Sequence, residues 1–232
     1  MTRISIFTAA AGCLAALVPP AAAQTTDQPT QDWAVHGQAS FVVQGVGGFA
    51  APYSGANSLA PHQVRETGDV TAFIGARPWA GAEIWANPEM DQGFGLSDTL
   101  GIAGFPSAEA YKVGRANPYF RLQRLFIRQT IGLGGAREAM APGANQLGGM
   151  RDTDRIVITA GKFGVDDVFD TNAYAHDPRG DFLNWSAVSA GTFDYAADAW
   201  GYSTGAAVEL YRGAWAVRLG AFNLSKVPNG ET

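Results

Sequence analysis

From Trp33 to Gln44 apolar and polar side chains alternate, with Val35, Gly37, Ala39, Phe41 and Val43 on one face and His36, Gln38, Ser40 and Gln44 on the other. A two-residue period held over about ten residues predicts a strand with one apolar and one wet face, the form a membrane-barrel strand takes. The period returns in a hairpin, with Val70, Ala72, Ile74 and Ala76 against Thr71, Phe73, Gly75 and Arg77. After a Pro78-Trp79-Ala80-Gly81 turn, Ala82, Ile84 and Ala86 oppose Glu83, Trp85 and Asn87. Pro88 has no amide to give to a ladder and is expected to end that strand. Further along, Ile156, Ile158 and Ala160 oppose Arg155, Val157, Thr159 and Gly161. Tyr202, Thr204, Ala206, Val208 and Leu210 then oppose Ser203, Gly205, Ala207, Glu209 and Tyr211. A tight Arg212-Gly213 turn leads to Trp215, Val217, Leu219 and Ala221 against Ala216, Arg218, Gly220 and Phe222. Tyr119 to Leu133 fits two patterns. As a strand it sets Arg124, Phe126, Arg128 and Thr130 against Leu125, Ile127, Ile131 and Leu133; as a helix it gathers Arg121, Arg124 and Arg128 on one side.

Counting that segment as a strand, the connections run long, short, long, intermediate, long, short. The long ones are Gly45 to Gly68, Glu89 to Pro118 and the excursion after Phe163; Gly134 to Asp154 is intermediate. Outer-membrane barrels join strands by short periplasmic turns and long outer loops, and this parity follows that rule from a periplasmic N-terminus. Trp33, Trp79, Tyr119, Tyr202 and Trp215 stand at segment ends, where interface girdles would place them; packing in a soluble sandwich explains the same aromatics.

The N-terminus has the three-part form of a secretory signal: Arg3, an apolar run from Ile4 to Val18, and Ala21-Ala22-Ala23 before Gln24. Residues 1–23 are expected to be removed and 24–32 to form a polar, flexible leader. Cys13, the one cysteine, lies inside the signal, so a mature chain makes no disulfide. Without Arg3 the remaining 15 basic residues face 21 acidic ones, a mildly acidic balance that gives no reason to expect nucleic acid. With 29 Gly and 16% charged residues the composition is unlike an ordinary soluble domain. No segment after the signal approaches 18 uninterrupted apolar residues, so a membrane would be crossed by strands.

Gly161 to Tyr202 is the longest connection and carries seven Asp and no Glu. A connection of this length without a strand of its own is a functional candidate. It contains Gly161-Lys162-Phe163, Phe169-Asp170-Thr171-Asn172, Asp181-Phe182-Leu183-Asn184-Trp185 and a close running from Phe193 to Tyr202. With the Arg-Pro-Trp, Asn-Pro-Glu and Gln-Gly-Phe-Gly-Leu-Ser steps earlier in the chain, this wording resembles the carbohydrate-selective porins of the OprB family. The resemblance runs from Trp33 to Asn229 and favours the strand reading of Tyr119 to Leu133. It implies an all-β fold, an antiparallel transmembrane β-barrel of the outer-membrane porin type. The family's barrel has about 16 strands, within the range of bacterial barrels. About half of it is therefore expected over 33–232, as an N-terminal part. The ending Pro228-Asn229-Gly230-Glu231-Thr232, with no terminal strand or final aromatic residue, adds to the expectation of a truncated barrel.

The implied function is passive diffusion of sugars such as monosaccharides, with sugars and outer-membrane lipid as partners and no cofactor, and with a homo-oligomer compatible with the sequence. A sugar presents an apolar ring face and a rim of hydroxyls, so its pore needs aromatic surfaces and charged or amide groups that replace water. The inward parity offers Arg77, Glu83, Trp85, Arg124, Phe126, Arg128 and Arg155; the excursion adds Asp170, Asn172, Asp177, Arg179, Asp181 and Trp185, some of which could fold inward as a constriction. Duller readings stand beside these. Asp166, Asp167 and Asp170 lack the Gly and terminal Glu of a calcium loop, Asp177 to Asp181 could be an Asp-capped turn, and His176 has no nucleophile motif to serve. An enzyme is not expected. A secreted saccharide-binding protein, a purely structural outer-membrane protein and a non-functional truncated porin are the alternatives.

Overall fold

A computed structural model describes residues 27–110, 113–170, 172–188, 195–227 and 230. The expected signal, Cys13 and the start of the leader fall outside them. Seven strands form one antiparallel meander: β1 Trp33–Val46, β2 Gln63–Ala76, β3 Ala82–Gly93, β4 Arg115–Met140, β5 Gly149–Phe163, β6 Ser203–Arg212 and β7 Trp215–Phe222. Each strand pairs only with its chain neighbours, so the sheet is not closed, and β1 and β7 are its edges. This all-β architecture is that of part of a porin barrel.

Burial is inverted with respect to a soluble sheet. Val35, Phe41, Val70, Ile74, Leu125, Ile158, Val208 and Leu219 are exposed on the convex side, whereas Asp69, Thr71, Asn87, Glu89, Asp91, Gln123 and Arg155 are buried on the concave side. An apolar outer band over a polar interior is stable where hydrocarbon covers the outside and water fills the inside.

Several strand bounds differ from the expected ones. β2 begins at Gln63, because Gln63 to Gly68 pair with Phe41 to Val46; of their outward positions Val64 is apolar, but Glu66 and Gly68 break the apolar signal. β4 and β5 extend to Met140 and from Gly149, which shrinks the intermediate connection to 141–148 and gives it the length of the short class. β3 runs through Pro88 to Gly93. The ladder to β4 shifts there, with Asn87 opposite Arg124 and Pro88 opposite Leu122, so the missing amide falls at a β-bulge. The bulge also changes phase: Tyr119, Arg121 and Gln123 face inward before it, Arg124, Phe126, Arg128 and Thr130 after it.

Trp33, Trp79 and Trp215 are exposed at the short-turn end, as a lipid girdle requires. Tyr119 and Tyr202 are not girdle residues. The Tyr119 hydroxyl donates to the Val113 carbonyl, and the Tyr202 hydroxyl accepts from Arg124 on the concave side. Nor is the end of the leader free. Gln31 exchanges two hydrogen bonds with Gly148, and Arg77 donates to the Gln31 carbonyl, fastening the approach to β1 onto the 141–148 turn.

Candidate functional site: a charged lumen face crossed by a loop

The concave face encloses a cavity of about 1730 Å³, lined by β1 to β6, the 94–114 and 141–148 connections, the described part of the 164–202 excursion and residues 224–226. Its charged groups come in layers along the strands. Nearest the short turns, Arg155 reaches Glu138 at 3.2 Å and lies 4.1 Å over the Tyr211 ring, while Arg218 reaches Glu209 at 3.2 Å. In the middle, Arg128 donates to the Asn145 carbonyl at 2.8 Å, lies 3.6 Å from Glu83, and sits 5.2 Å over the Phe126 ring. Asn145 takes the left-handed conformation, φ 57°, that asparagine tolerates; its side-chain oxygen accepts from Asn87 at 2.8 Å. The 141–148 turn is thereby folded against the lumen face.

Higher up, Arg124 forks onto Asp167 through Nε at 2.8 Å and a terminal nitrogen at 2.6 Å, 4.7 Å over the Tyr202 ring. Asp167 belongs to a one-turn helix, α1 Asp166–Phe169, that opens the excursion. Burial works to raise the Asp167 pKa, but the charge and hydrogen bonds of Arg124 outweigh it, and the carboxyl is held below its ordinary range. Asp166, buried beside that carboxylate, is pushed up to about 6. On the far side of the cavity Arg179 meets Glu109 at 3.1 Å, Asp69 at 3.6 Å and Asp177 at 3.9 Å, and donates to the Ser40 hydroxyl at 2.9 Å. Burial, against the opposing charge of Arg179, raises Glu109 to about 7.

Of the residues singled out from sequence, Arg77, Glu83, Arg124, Phe126, Arg128, Arg155, Asp177, Arg179 and Trp185 line the cavity. Trp85 does not. It is fully buried, with its indole N–H on Glu83 at 2.9 Å and its ring against Gly75, where a Cβ would fall 2.5 Å from the ring. Nor do three of the excursion's polar residues. Asp170 accepts from the Asn172 amide at 3.0 Å, Asn172 from the Tyr174 amide at 2.9 Å, and Asp181 from the His176 and Asp177 amides at 2.8 and 3.0 Å. These are turn-making bonds, and the Asp-capped reading of 177–181 describes what Asp181 does. Asp181→Ala is accordingly expected to leave solute preference unchanged in a swelling assay. Among the described residues no group of three potential metal-ligating side chains stands together, and Asp167 faces an arginine.

Glu89, Gln123, Asn145 and Glu109 escaped the sequence reading, which gave Asp167 and Tyr202 other roles. Glu89 accepts from Thr71 and, at 2.8 Å, from Gln123, the residue doubled inward by the bulge. The one available sign was Pro88 inside an otherwise periodic strand.

Strands with an exposed apolar outer face around a concave wall of paired arginines and carboxylates have the form of part of a β-barrel of the porin class. The chain belongs to the OprB family of carbohydrate-selective porins, whose sequence model matches residues 74–231. That match begins late in β2, and β1 continues the same sheet ahead of it. The family is one of channels rather than enzymes, and membership implies the bacterial outer membrane. No curated protein and no solved structure matches the chain.

Proposed function

We propose that this chain forms a wall of an outer-membrane pore through which neutral sugars, monosaccharides among them, diffuse passively, after export directed by residues 1–23. The observation that carries the reading is the repeated coupling, on the lumen face, of an arginine to both an acceptor and an aromatic ring: Arg155 with Glu138 and Tyr211, Arg128 with Asn145 and Phe126, Arg124 with Asp167 and Tyr202. Each such unit offers N–H donors and carboxylate or carbonyl acceptors to a sugar's hydroxyls and a ring edge or face to its apolar side. Because each of these arginines already has an acceptor and lies within 3.6 Å of a carboxylate, an uncharged solute can exchange hydrogen bonds without meeting a deep ionic well. The exposed apolar convex face weighs against a secreted, soluble saccharide-binding role.

Liposome swelling with glucose and a size-matched solute lacking the hydroxyl rim tests this. Glucose should enter faster. Arg128→Ala, which leaves the Trp85–Glu83 bond in place, should reduce that advantage about tenfold, the worth of one charge-assisted hydrogen bond of about 1.4 kcal/mol. Equal entry of both solutes in the unaltered protein would defeat the reading.

A further inference from the structure

The 164–202 excursion leaves the sheet at β5 and returns at β6, yet its Arg179 is bound to β1 and β2, on the other flank of the concave face. Along the way it meets the 94–114 connection through two backbone hydrogen bonds, Ala108 N–H to the Leu183 carbonyl at 2.8 Å and Trp185 N–H to the Phe105 carbonyl at 2.9 Å. The described part of the excursion is therefore a strap across the lumen, continuous with β5 and bound to the far wall through Arg179. We propose that Arg179 is the pin that holds this strap down and thereby sets the largest solute that passes.

The charge arrangement makes the pin asymmetric. One guanidinium is opposed by three carboxylates, two of which, Asp69 and Glu109, are buried on separate elements, while the third, Asp177, rides on the strap itself. With the arginine present, its planar fork serves acceptors on β1, β2 and the 94–114 connection at once. Lysine's single ammonium lacks that fork. With the arginine gone, Asp177 on the strap faces like charges on the wall, and buried carboxylates lose their counter-ion. The strap would then be held against that repulsion by its pair of backbone bonds to the 94–114 connection and by the packing of its buried side chains, and its hold on the far wall would loosen.

The inference rests on the pore reading for its consequence but not for its geometry, and two readouts separate them. The first is swelling with a graded series of uncharged oligosaccharides. Arg179→Ala should raise entry of a trisaccharide relative to glucose about tenfold, and Arg179→Lys should fall between. The mature chain contains no native cysteine, so Ala108→Cys with Leu183→Cys can cross-link the strap to its neighbour; oxidation should restore the original cut-off in the Arg179→Ala background, and reduction should abolish the rescue. The second readout needs no conduction. Ala175 on the strap is buried, and a thiol at Ala175→Cys in detergent-folded protein should react about tenfold faster once Arg179→Ala is added. An unchanged labelling rate would overturn the pin. Faster labelling with an unchanged cut-off would show that the strap does not set the aperture. If the unaltered protein passes no sugar at all, the pore reading fails, and the labelling rate alone still decides whether Arg179 holds the strap.

Discussion

Arg124→Ala is expected to destabilise the folded protein by about 3 kcal/mol, far more than Arg128→Ala, although the two arginines look alike in the sequence. Removing one partner of a buried ion pair leaves the other charge uncompensated, at about 3–5 kcal/mol. The side chains of Arg124 and Asp167 keep 18% and 24% of their exposure, toward the lumen, which places the effect at the low end of that range. Asp167 also accepts from the Gly164 amide at 2.8 Å, so loss of Arg124 disturbs the first turn of the strap as well as the wall. Arg128 rests on a backbone carbonyl and a longer contact to Glu83, and Glu83 retains the Trp85 indole when Arg128 is removed. Urea unfolding in detergent, followed by tryptophan fluorescence, should show the difference directly. The double variant Arg124→Met with Asp167→Leu should recover most of the loss, since it removes both charges together. Recovery of nothing would mean that Arg124 is held by contacts other than Asp167, and that the 2.6 Å fork carries little of the stability.

This unequal weighting shows where sequence reasoning stopped. Alternation placed the inward and outward faces of β1, β3 and β5–β7 because lipid and water impose opposite preferences on neighbouring residues, and the period survives in the text of the chain. Segments it missed, Gln63 to Gly68 and Gly134 to Met140 among them, lie toward the strand ends, where charged residues and glycines interrupt the apolar half of the signal and an isolated Val64 does not make a period. Inside the lumen the difficulty was different. Conspicuous residues such as Asp170, Asn172 and Asp181 are bound by amides two to five positions away, while the pairs that span the cavity join residues far apart in the chain, Arg179 with Asp69 and Arg124 with Asp167. Such pairs are created by the pairing of strands into one sheet and by the fold of the strap, and neither leaves a local period. The two tyrosines assigned to a girdle failed for a related reason: an aromatic at a strand end satisfies either a lipid interface or an inward hydrogen bond, and only the facing partner decides.

The strap's docking should weaken as the medium is made alkaline, through Glu109. This carboxyl is 8% exposed, packed between Arg179, Asp69 and Asp177 with Glu89 close by, and burial raises its pKa from 4.5 to about 7 despite the arginine. A carboxyl whose pKa is higher in the docked state than in the open one binds its proton more tightly when docked. The stabilisation is therefore complete below pH 4.5 and is lost as pH rises through about 7. A difference of about 2.5 pKa units, at about 1.36 kcal/mol each, corresponds to about 3 kcal/mol between the two limits. Asp166, at the root of the same strap and raised to about 6 by burial and by Asp167, with Arg124 and His176 opposing, acts in the same direction over a slightly lower range. Glu109→Gln removes the main titration while keeping the shape of the side chain. Unfolding free energies of the variant and the unaltered protein, compared at each pH, cancel every other titrating group. The variant should gain up to about 3 kcal/mol relative to the unaltered protein between pH 4.5 and 8.5, and the two curves should run parallel outside that window. Parallel curves throughout would show that Glu109 is ionised in the docked state at no cost, so that Arg179 fully offsets its burial; the strap would then be held equally at every pH the outer membrane meets.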